Sequence, residues 1–313
     1  MTGGAIVRSR IVILDCDPGT DDALAILLAL ASPELHLAAI TVAGGNAPLT
    51  RTLANAAALV TLGGASVPVH AGAARALLAP YPPGWTGHGP DGMAGVPLPP
   101  GEPPAAAPAA DAIRALLQST PAPVTLLGIA PATNLALALA PHPPALAEAI
   151  EEIVLMSGAV GAGNATEAAE FNAWCDPEAL AILLAAGRPL TLATLETGRA
   201  ARATPARIAA LRARAGRSRA AQTALAILAA LPASLHMPGP GIALYDPSAV
   251  AWLIAPALFA ARPAGVTVDL APGPARGRTA IDRRAPTPNA RVLELADPDG
   301  FFSLLAERLA RLP

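Results

Sequence analysis

Lysine is absent from this 313-residue chain; all 21 basic residues are arginine. Schiff-base catalysis and lysine-bearing phosphate loops are thereby excluded. Aromatic residues are scarce too, 3% of the chain against 53% for hydrophobic residues as a whole, so Ala, Leu, Val and Ile must build the core. The two cysteines, Cys16 and Cys175, sit inside apolar segments without C-x-x-C spacing. That pattern points to small buried thiols in a reducing cytoplasm instead of a disulfide or a zinc site. A net charge of −2 gives no electrostatic drive toward nucleic acid or an anionic membrane. Nor does any segment read as a membrane span. The uncharged, Ala- and Leu-rich run Ala220 to Leu235 falls short of the roughly 20 apolar residues required and carries Gln222 and Pro232.

Charge is nonetheless unevenly spread. Seven arginines and no acid lie between Arg199 and Arg219, either a phosphate or partner surface or, as helical spacing commonly generates, a solvated helix face. The Pro-rich stretch from Pro80 to Pro108 contains Trp85, His88, Asp91 and Met93, which suits an ordered functional loop better than a linker. The chain is therefore read as one domain over residues 1–313.

Strand-like apolar runs recur at Ile11–Leu14, Leu37–Val42, Val67–Val69, Val124–Leu127, Ile153–Met156 and Leu190–Ala193. Helical runs lie between them at Asp22–Ala31, Thr50–Leu62, Asp111–Leu117, Asn134–Ala140 and Pro177–Ala186. Such alternation predicts an α/β fold with an open, mostly parallel sheet flanked by helices. Ala203–Leu231 reads as one or two helices outside the alternation. Gly265–Leu270, Thr279–Ile281 and Arg291–Leu295 read as later strands before a closing helix at Phe301–Arg311. Ligands of such sheets bind beyond the carboxyl ends of the strands. Asp15, Asp17, Asn46, Gly128 and Met156 each end or follow a strand-like run and should converge on one rim.

The densest functional signal is Asp15-Cys-Asp17-Pro-Gly-Thr-Asp21-Asp22, four carboxylates at the turn from the first strand to the first helix. Like charges this close repel unless a cation neutralises them, some stay protonated, or the helix N-terminus offsets part of the field. Oxygen-only ligation fits calcium or magnesium, and calcium tolerates the bidentate geometry that adjacent aspartates offer. A helix cap with solvated acids accounts for one or two of the four.

This run resembles the D-x-D-x-x-x-D-D signature of the nucleoside hydrolases, the inosine-uridine-preferring N-ribohydrolases, and further matches follow in order along nearly the whole chain. Thr41-Val-Ala-Gly-Gly-Asn46 resembles the segment whose asparagine faces the ribose. Gly128-Ile-Ala-Pro-Ala-Thr133-Asn134-Leu resembles the G-P-L-T-N-L run, and Trp85-Thr-Gly-His88-Gly-Pro-Asp91-Gly92 the mobile H-G-x-x-G loop. Val154-Leu-Met156-Ser-Gly158, Gly163-Asn164 and Ala169-Glu170-Phe171-Asn172-Ala-Trp-Cys-Asp176-Pro177-Glu178 resemble the M-G-G…N…E-F-N…D-P-E region. Tyr245-Asp246-Pro247 stands where the family usually reads H-D-P.

The resemblance implies a Rossmann-like core, a homodimer or homotetramer, and calcium-dependent hydrolysis of the N-glycosidic bond of a ribonucleoside by water on the metal. It makes Asp17 the base and a metal ligand, with Asp22, the backbone carbonyl of Thr133 and Asp246 as the other ligands. It makes Asp21, Asn46, Met156, Asn164, Glu170, Phe171 and Asn172 the substrate-binding residues, with Asp15 behind them. An oxocarbenium-like transition state calls for such a set: a nucleophilic water, negative charge beneath the ribosyl ring and help for the leaving base. In many family members a histidine at the position of Tyr245 is thought to protonate a departing purine. Tyrosine, with a pKa of about 10, is a weaker proton donor at neutral pH, although it donates hydrogen bonds and stacks. His88 and His236 are the other candidate acids.

Several of these residues also have plain structural readings. Asn46 after two glycines suits a left-handed turn, and Thr133 and Asn134 suit a helix cap. Asp176-Pro177-Glu178 reads as an N-cap, a proline at the first helical position and an early-turn acid, hence structural. Glu170 and Asn172 would point the same way from an extended segment, with Phe171 facing apart. Two other functions are weighed. Aspartate-nucleophile phosphatases also carry D-x-D after a first strand, but their threonine would fall at Gly19 and their downstream lysine has no counterpart here. A metal-dependent nucleoside- or sugar-binding protein without turnover is compatible with Tyr245 and opposed by Asp17, a residue needed more for water activation than for binding.

Overall fold

Continuous apolar runs without alternation require burial on both faces, the mark of a central parallel strand. The computed structural model, which describes residues 9–82, 86–140, 144–230 and 241–313, places these runs inside a nine-stranded sheet. The strands are β1 (Arg10–Cys16), β2 (Leu35–Val42), β3 (Val69–Ala71), β4 (Val124–Gly128), β5 (Ile150–Met156) and β6 (Leu190–Ala193), then the short pair β7 (Arg202–Ala203) and β8 (Ile242–Ala243), and finally β9 (Phe259–Val268), β10 (Thr279–Asp282) and β11 (Ala290–Leu295). The main sheet runs β10-β9-β11-β6-β5-β4-β1-β2-β3, and β7 pairs with β8 apart from it. From β11 to β3 every pairing is parallel; β9 pairs antiparallel with both β11 and β10. The open, mostly parallel α/β sheet is as expected. The third strand begins two residues late, and β9 begins at Phe259 instead of Gly265, because Arg262 and Pro263 interrupt its apolar pattern.

The helices are α1 (Thr20–Leu30), α2 (Leu49–Leu62), α3 (Ala109–Ser119), α4 (Thr133–Leu139), α5 (Pro144–Glu148), α6 (Phe171–Cys175), α7 (Pro177–Leu184), α8 (Leu195–Ala200), α9 (Pro205–Arg214), α10 (Arg219–Ala230), α11 (Asp246–Ile254) and α12 (Pro298–Leu309). They cover the sheet in two apolar layers. Side chains of α1, α2, α10, α11 and α12 pack on one face, and those of α3, α4 and α7 on the other. Leu24, Ile26, Leu27 and Leu28 of α1 are fully buried, as a helix apolar all round must be. The closing helix starts at Pro298, earlier than its apolar run, because the Asp297 side chain accepts the Gly300 N–H at 2.9 Å. Both cysteines are buried and unpaired. Among the described residues no helix is long and apolar enough to cross a membrane.

Register sets the rim. Asp15 of β1 lies level with Thr41 of β2 and Gly128 of β4, and Gly128 with Leu155 of β5. The loops leaving these four strands therefore carry Asp17, Asn46, Thr133 and Gly158 to one edge of the sheet.

Candidate active site

The chain leaves β1 at Cys16, turns through Pro18-Gly19 and enters α1 at Thr20. Three residues into the turn of the helix, the Asp22 carboxylate reaches back to accept the Asp17 N–H at 3.2 Å and the Gly19 N–H at 3.0 Å, the side-chain half of a capping box, since the N-cap Gly19 has no side chain to return it. Asn46 locks the other side. Its N–H donates to Asp17 Oδ2 at 2.8 Å, and its Nδ2 donates to the Asp17 carbonyl at 3.2 Å and to Asp22 Oδ2 at 3.0 Å. Gly45 makes that approach possible, since a Cβ there would lie 2.1 Å from Asp17 Oδ2.

Asp15, Asp17, Asp22 and Asp246 are all buried. Burial lifts the Asp22 carboxyl to about 7, with Asp21 adding to the rise. Burial and then Asp22 drive Asp17 well above the carboxylate range, and burial followed by Asp21 and Asp22 does the same to Asp246. Asp15 is raised to about 7 by burial, against hydrogen bonds donated by Thr41 at 2.6 Å and Asn134 at 2.8 Å. Asp22 and Asp246 face one another closely enough that both carboxylates stay ionised only with a proton or a cation between them. Asp17 Oδ1 and Asp15 Oδ2 are buried with no hydrogen-bond partner. Oxygens of Asp21, Asp22 and Asp246 lie within 4.8 Å of one another.

Such a cluster fits a hard divalent cation. Its donors are all oxygens, it holds more negative charge than a buried site tolerates unpaired, and it keeps orphaned carboxylate oxygens that a cation would partner. Asp21, expected at the sugar, joins Asp22 and Asp246 in the tightest group; Asp17 stands beside this trio with its unpartnered Oδ1.

Thr133 opens α4. Its hydroxyl donates to Asp176 Oδ2 at 2.6 Å and accepts from the Tyr81 hydroxyl at 2.7 Å, so it is engaged with the chain. Asp176 behaves as read from the sequence, capping α7 by accepting the Ala179 N–H at 3.1 Å. Asn134 is no cap. It ties Asp15 to the next loop, its Oδ1 accepting the Ala73 N–H at 2.8 Å.

Glu170 to Asn172 is a correction. The segment is not extended: Phe171 begins α6 and Glu170 is its N-cap, with Oε1 accepting the Asn172 N–H at 2.8 Å and Oε2 the N–H groups of Ala173 and Gly158 at 3.0 Å each. Three amide donors reward the acid for capping, and that local gain overrides the alternation seen in the sequence. Phe171 is buried. Asn172 Nδ2 donates to the Met156 carbonyl at 3.1 Å and the Ile129 carbonyl at 3.3 Å, and Asn164 Oδ1 accepts the Phe171 N–H at 2.9 Å. Met156, Asn164, Glu170 and Asn172 are thus brought together at the ends of β4 and β5.

His88 is less a loop tip than expected. It is buried in a short helical turn, and its Nδ1 accepts the Thr20 N–H at 3.2 Å and lies 2.7 Å from the Thr20 hydroxyl. A backbone N–H only donates, so Nδ1 carries no proton and the neutral ring holds its proton on Nε2. Burial pushes the imidazole below its usual pKa. Tyr245 lies immediately before Asp246 with its ring against Gly198, and burial raises its phenol while Arg199 opposes the rise. His236 and Trp85 lie outside the described residues. Tyr81, Gly198 and Arg199 were not singled out by sequence reasoning. Arg199 opens the arginine-rich run, and its pairing with Glu196 three residues earlier was the available signal.

The comparisons agree with this geometry. The model of the inosine-uridine preferring nucleoside hydrolase family matches residues 12–303. The pyrimidine-specific ribonucleoside hydrolase RihA of Shewanella woodyi is 40% identical over 309 residues, 96% of this chain and 98% of that protein. RihA of Salmonella arizonae is 39% identical over 95% of this chain and 97% of its own. Among solved structures, the plant nucleoside hydrolase PpNRh1 (28% identity, 96% and 99% coverage) and a purine-preferring ribonucleoside hydrolase from Gardnerella vaginalis (29%, 96% and 98%) each superpose with a TM-score of 0.87. With its ordered motifs gathered on one rim and the whole fold shared, the chain belongs to the inosine-uridine-preferring nucleoside hydrolase family and is a nucleoside N-ribohydrolase.

Proposed function

We propose that this ribohydrolase acts on pyrimidine ribonucleosides, with calcium at the aspartate cluster and Asp17 as the general base. The observation that carries the reading is Asp17 itself: one carboxylate oxygen is fixed by the Asn46 N–H, and the other is buried, unpartnered and surrounded by the other acids. A hard cation held by Asp22, Asp246 and their neighbours would neutralise the cluster and make water more acidic. The resemblance adds the Thr133 carbonyl to that set. With the cluster neutralised, Asp17 is an ionised acceptor, and it takes the proton of the water that attacks the anomeric carbon. Asp15, held by Thr41 and Asn134, keeps β1 and β2 level beneath it. The carboxylates also supply the negative field that an oxocarbenium-like transition state requires.

Pyrimidine preference is drawn from two sides. The RihA relatives at about 40% identity are named pyrimidine-specific, and Tyr245 is a poorer acid than the histidine a departing purine calls for. A single domain, a cytoplasmic location and a homodimer or homotetramer complete the proposal; the two buried free thiols suit that compartment. The test is free ribose release from uridine, cytidine, inosine and adenosine after chelation and after calcium is restored. Calcium-dependent turnover favouring uridine or cytidine is expected. Full activity in chelator, or a purine preference, rejects the corresponding half of the proposal.

A further inference from the structure

Tyr81 stands where two loops of the acid cluster meet. The loop Gly44-Gly45-Asn46 holds Asp17 from one side, through the Asn46 N–H. The segment Pro131–Asn134 closes the other: Pro131 Cδ lies 3.2 Å from where a Cβ on Gly45 would be, and Asn134 Nδ2 donates to Asp15 Oδ1 at 2.8 Å. Tyr81 touches both loops. Its ring edge lies over Gly44, where a Cβ would sit 3.3 Å from Cδ2 and 3.4 Å from Cε2, and its hydroxyl reaches Thr133 Oγ1 at 2.7 Å. Two consecutive glycines give the first loop a freedom that the ring takes away.

The hydroxyl chain has one direction. Thr133 has a single hydroxyl hydrogen, and it goes to Asp176 Oδ2 at 2.6 Å, so Tyr81 is the donor to Thr133. Asp176 also accepts the Leu77 N–H on Oδ2 at 2.9 Å and the Ala179 N–H on Oδ1 at 3.1 Å. All three of these partners are donors, the pattern of an ionised carboxylate, and a chain of hydrogen bonds that ends on a charge is strengthened along its length. The stretch from Leu77 to Tyr81 is thereby tied at both ends, to the cap of α7 and to the first residue of α4. Ala73 ties the same segment further back, its N–H donating to Asn134 Oδ1 at 2.8 Å and its carbonyl accepting the Gly44 N–H at 2.9 Å. Loss of the phenol hydroxyl therefore leaves the segment in place and acts only on the contact with Thr133.

We propose that Tyr81 is a positioning residue for the cation site: it braces the loops on either side of Asp15 and Asp17 against each other, so that the site's affinity for a hard divalent cation depends on a hydroxyl bonded to Thr133 and not to the cluster. The inference rests on the calcium reading above. Its physical basis is preorganisation. Buried carboxylates repel one another, and a cation gains most where the loops that carry its oxygens are already held at the right spacing.

The test titrates calcium calorimetrically into chelator-stripped wild type, Tyr81→Phe, Thr133→Val, Thr133→Ser and the double variant Tyr81→Phe/Thr133→Val, all well below their melting temperatures. Tyr81→Phe keeps the ring on Gly44 and removes only the hydroxyl. Its calcium Kd is expected to rise about 10-fold, the low end of the ~10–100-fold that loss of an outer hydrogen bond costs a metal site. Thr133→Val against Thr133→Ser makes the same measurement from the other end of the bond. The valine should lose at least as much as Tyr81→Phe, the serine should stay within about threefold of wild type because it keeps the hydroxyl, and the double variant should bind no more weakly than Thr133→Val. Ribose release by Tyr81→Phe should be slowed at limiting calcium and return to within about threefold of wild type at saturating calcium. A Kd unchanged in Tyr81→Phe, with only a lower melting temperature in chelator, makes the phenol a structural prop and overturns the inference, as do multiplicative losses in the double variant. A wild type that binds no calcium overturns the calcium reading and this inference together; a wild type that binds it beside an equally tight Tyr81→Phe overturns the inference alone.

Discussion

A buried acid and a cluster of buried acids occupy opposite ends of the same parallel sheet. At the amino end, Glu152 of β5 receives Arg291 at 2.6 Å, Thr191 at 2.6 Å and the Trp252 indole at 3.4 Å on one oxygen, and Arg10 at 3.3 Å on the other. Four strands of the sheet, β1, β5, β6 and β11, and α11 are stitched together there. At the carboxyl end, Asp17, Asp22 and Asp246 meet no cation among the described residues; Asp17 Oδ1 is left without a partner, and all three carboxyls are driven upward in pKa. The same residue type under the same burial has two outcomes. Where arginine was supplied, the acid became a staple; where it was withheld, buried carboxyls are left raised in pKa, the condition that the proposed cation would relieve.

The sharpest break of that comparison is Asp17→Asn. Ribohydrolase activity should fall by at least the ~10²–10⁴-fold attributed to general base catalysis, and further through weakened metal binding. The fold should survive, and in chelator the variant should melt above the wild type because one repelling acid is gone. Activity within about tenfold of wild type would move the base role to another residue. Glu152→Ala is the mirror experiment. Breaking a buried ion pair costs about 3–5 kcal/mol, and since Arg10 and Arg291 are partly solvated here, a loss of about 2–3 kcal/mol is expected in denaturant melts. Its kcat on natural substrate should be unchanged per folded molecule; a loss of activity greater than the loss of folded protein would join the two ends.

A third test varies pH. The folded-state pKa values of Asp15 and Asp22, about 7 each, lie above the ordinary 3.8. Each therefore contributes stability below about pH 4 that is lost as pH rises toward 7, because the folded state binds more protons. In chelator the rim should destabilise the protein over that window. Calcium should cancel the loss, so the melting-temperature gain on adding it should grow from pH 4.5 to 7.5; a gain that is flat or shrinks with pH contradicts the cluster's cation-binding role. The smallest effect is expected at His88. Because its Nδ1 caps the start of α1, His88→Ala should cost about 1 kcal/mol, as loss of a cap does. A kcat loss confined to uridine and absent with p-nitrophenyl riboside would show instead that the Nε2 proton serves the base.

Legibility followed locality. The strands of the parallel core and the helices between them were readable because apolar runs and caps act over a few residues, and Asp176-Pro177 capped α7 as its spacing announced. Glu170-Phe171-Asn172 misled because an extended and a helical segment share the same residues until the amides of Gly158, Asn172 and Ala173 choose between them. Glu152 was hidden inside an apolar strand, since nothing near it in the chain announces Arg10 or Arg291, 142 and 139 residues away. The Arg199 run looked like a solvated face, which much of it is; only the packing of Gly198 on Tyr245 separates its first member from the rest.

By itself, then, the order of residues determined the α/β alternation, the anion-dense turn after β1 and the family to which its motifs point, all of which are written in short-range spacing and composition. Tertiary structure decided which aspartate oxygens are left without partners, that Asp21 groups with Asp22 and Asp246, that His88 gives its Nδ1 to a helix end, and that Gly198 seats the ring of Tyr245. The physical reason is that desolvation and charge coupling depend on distance in space, and the groups that set them come from loops scattered across more than two hundred residues of chain.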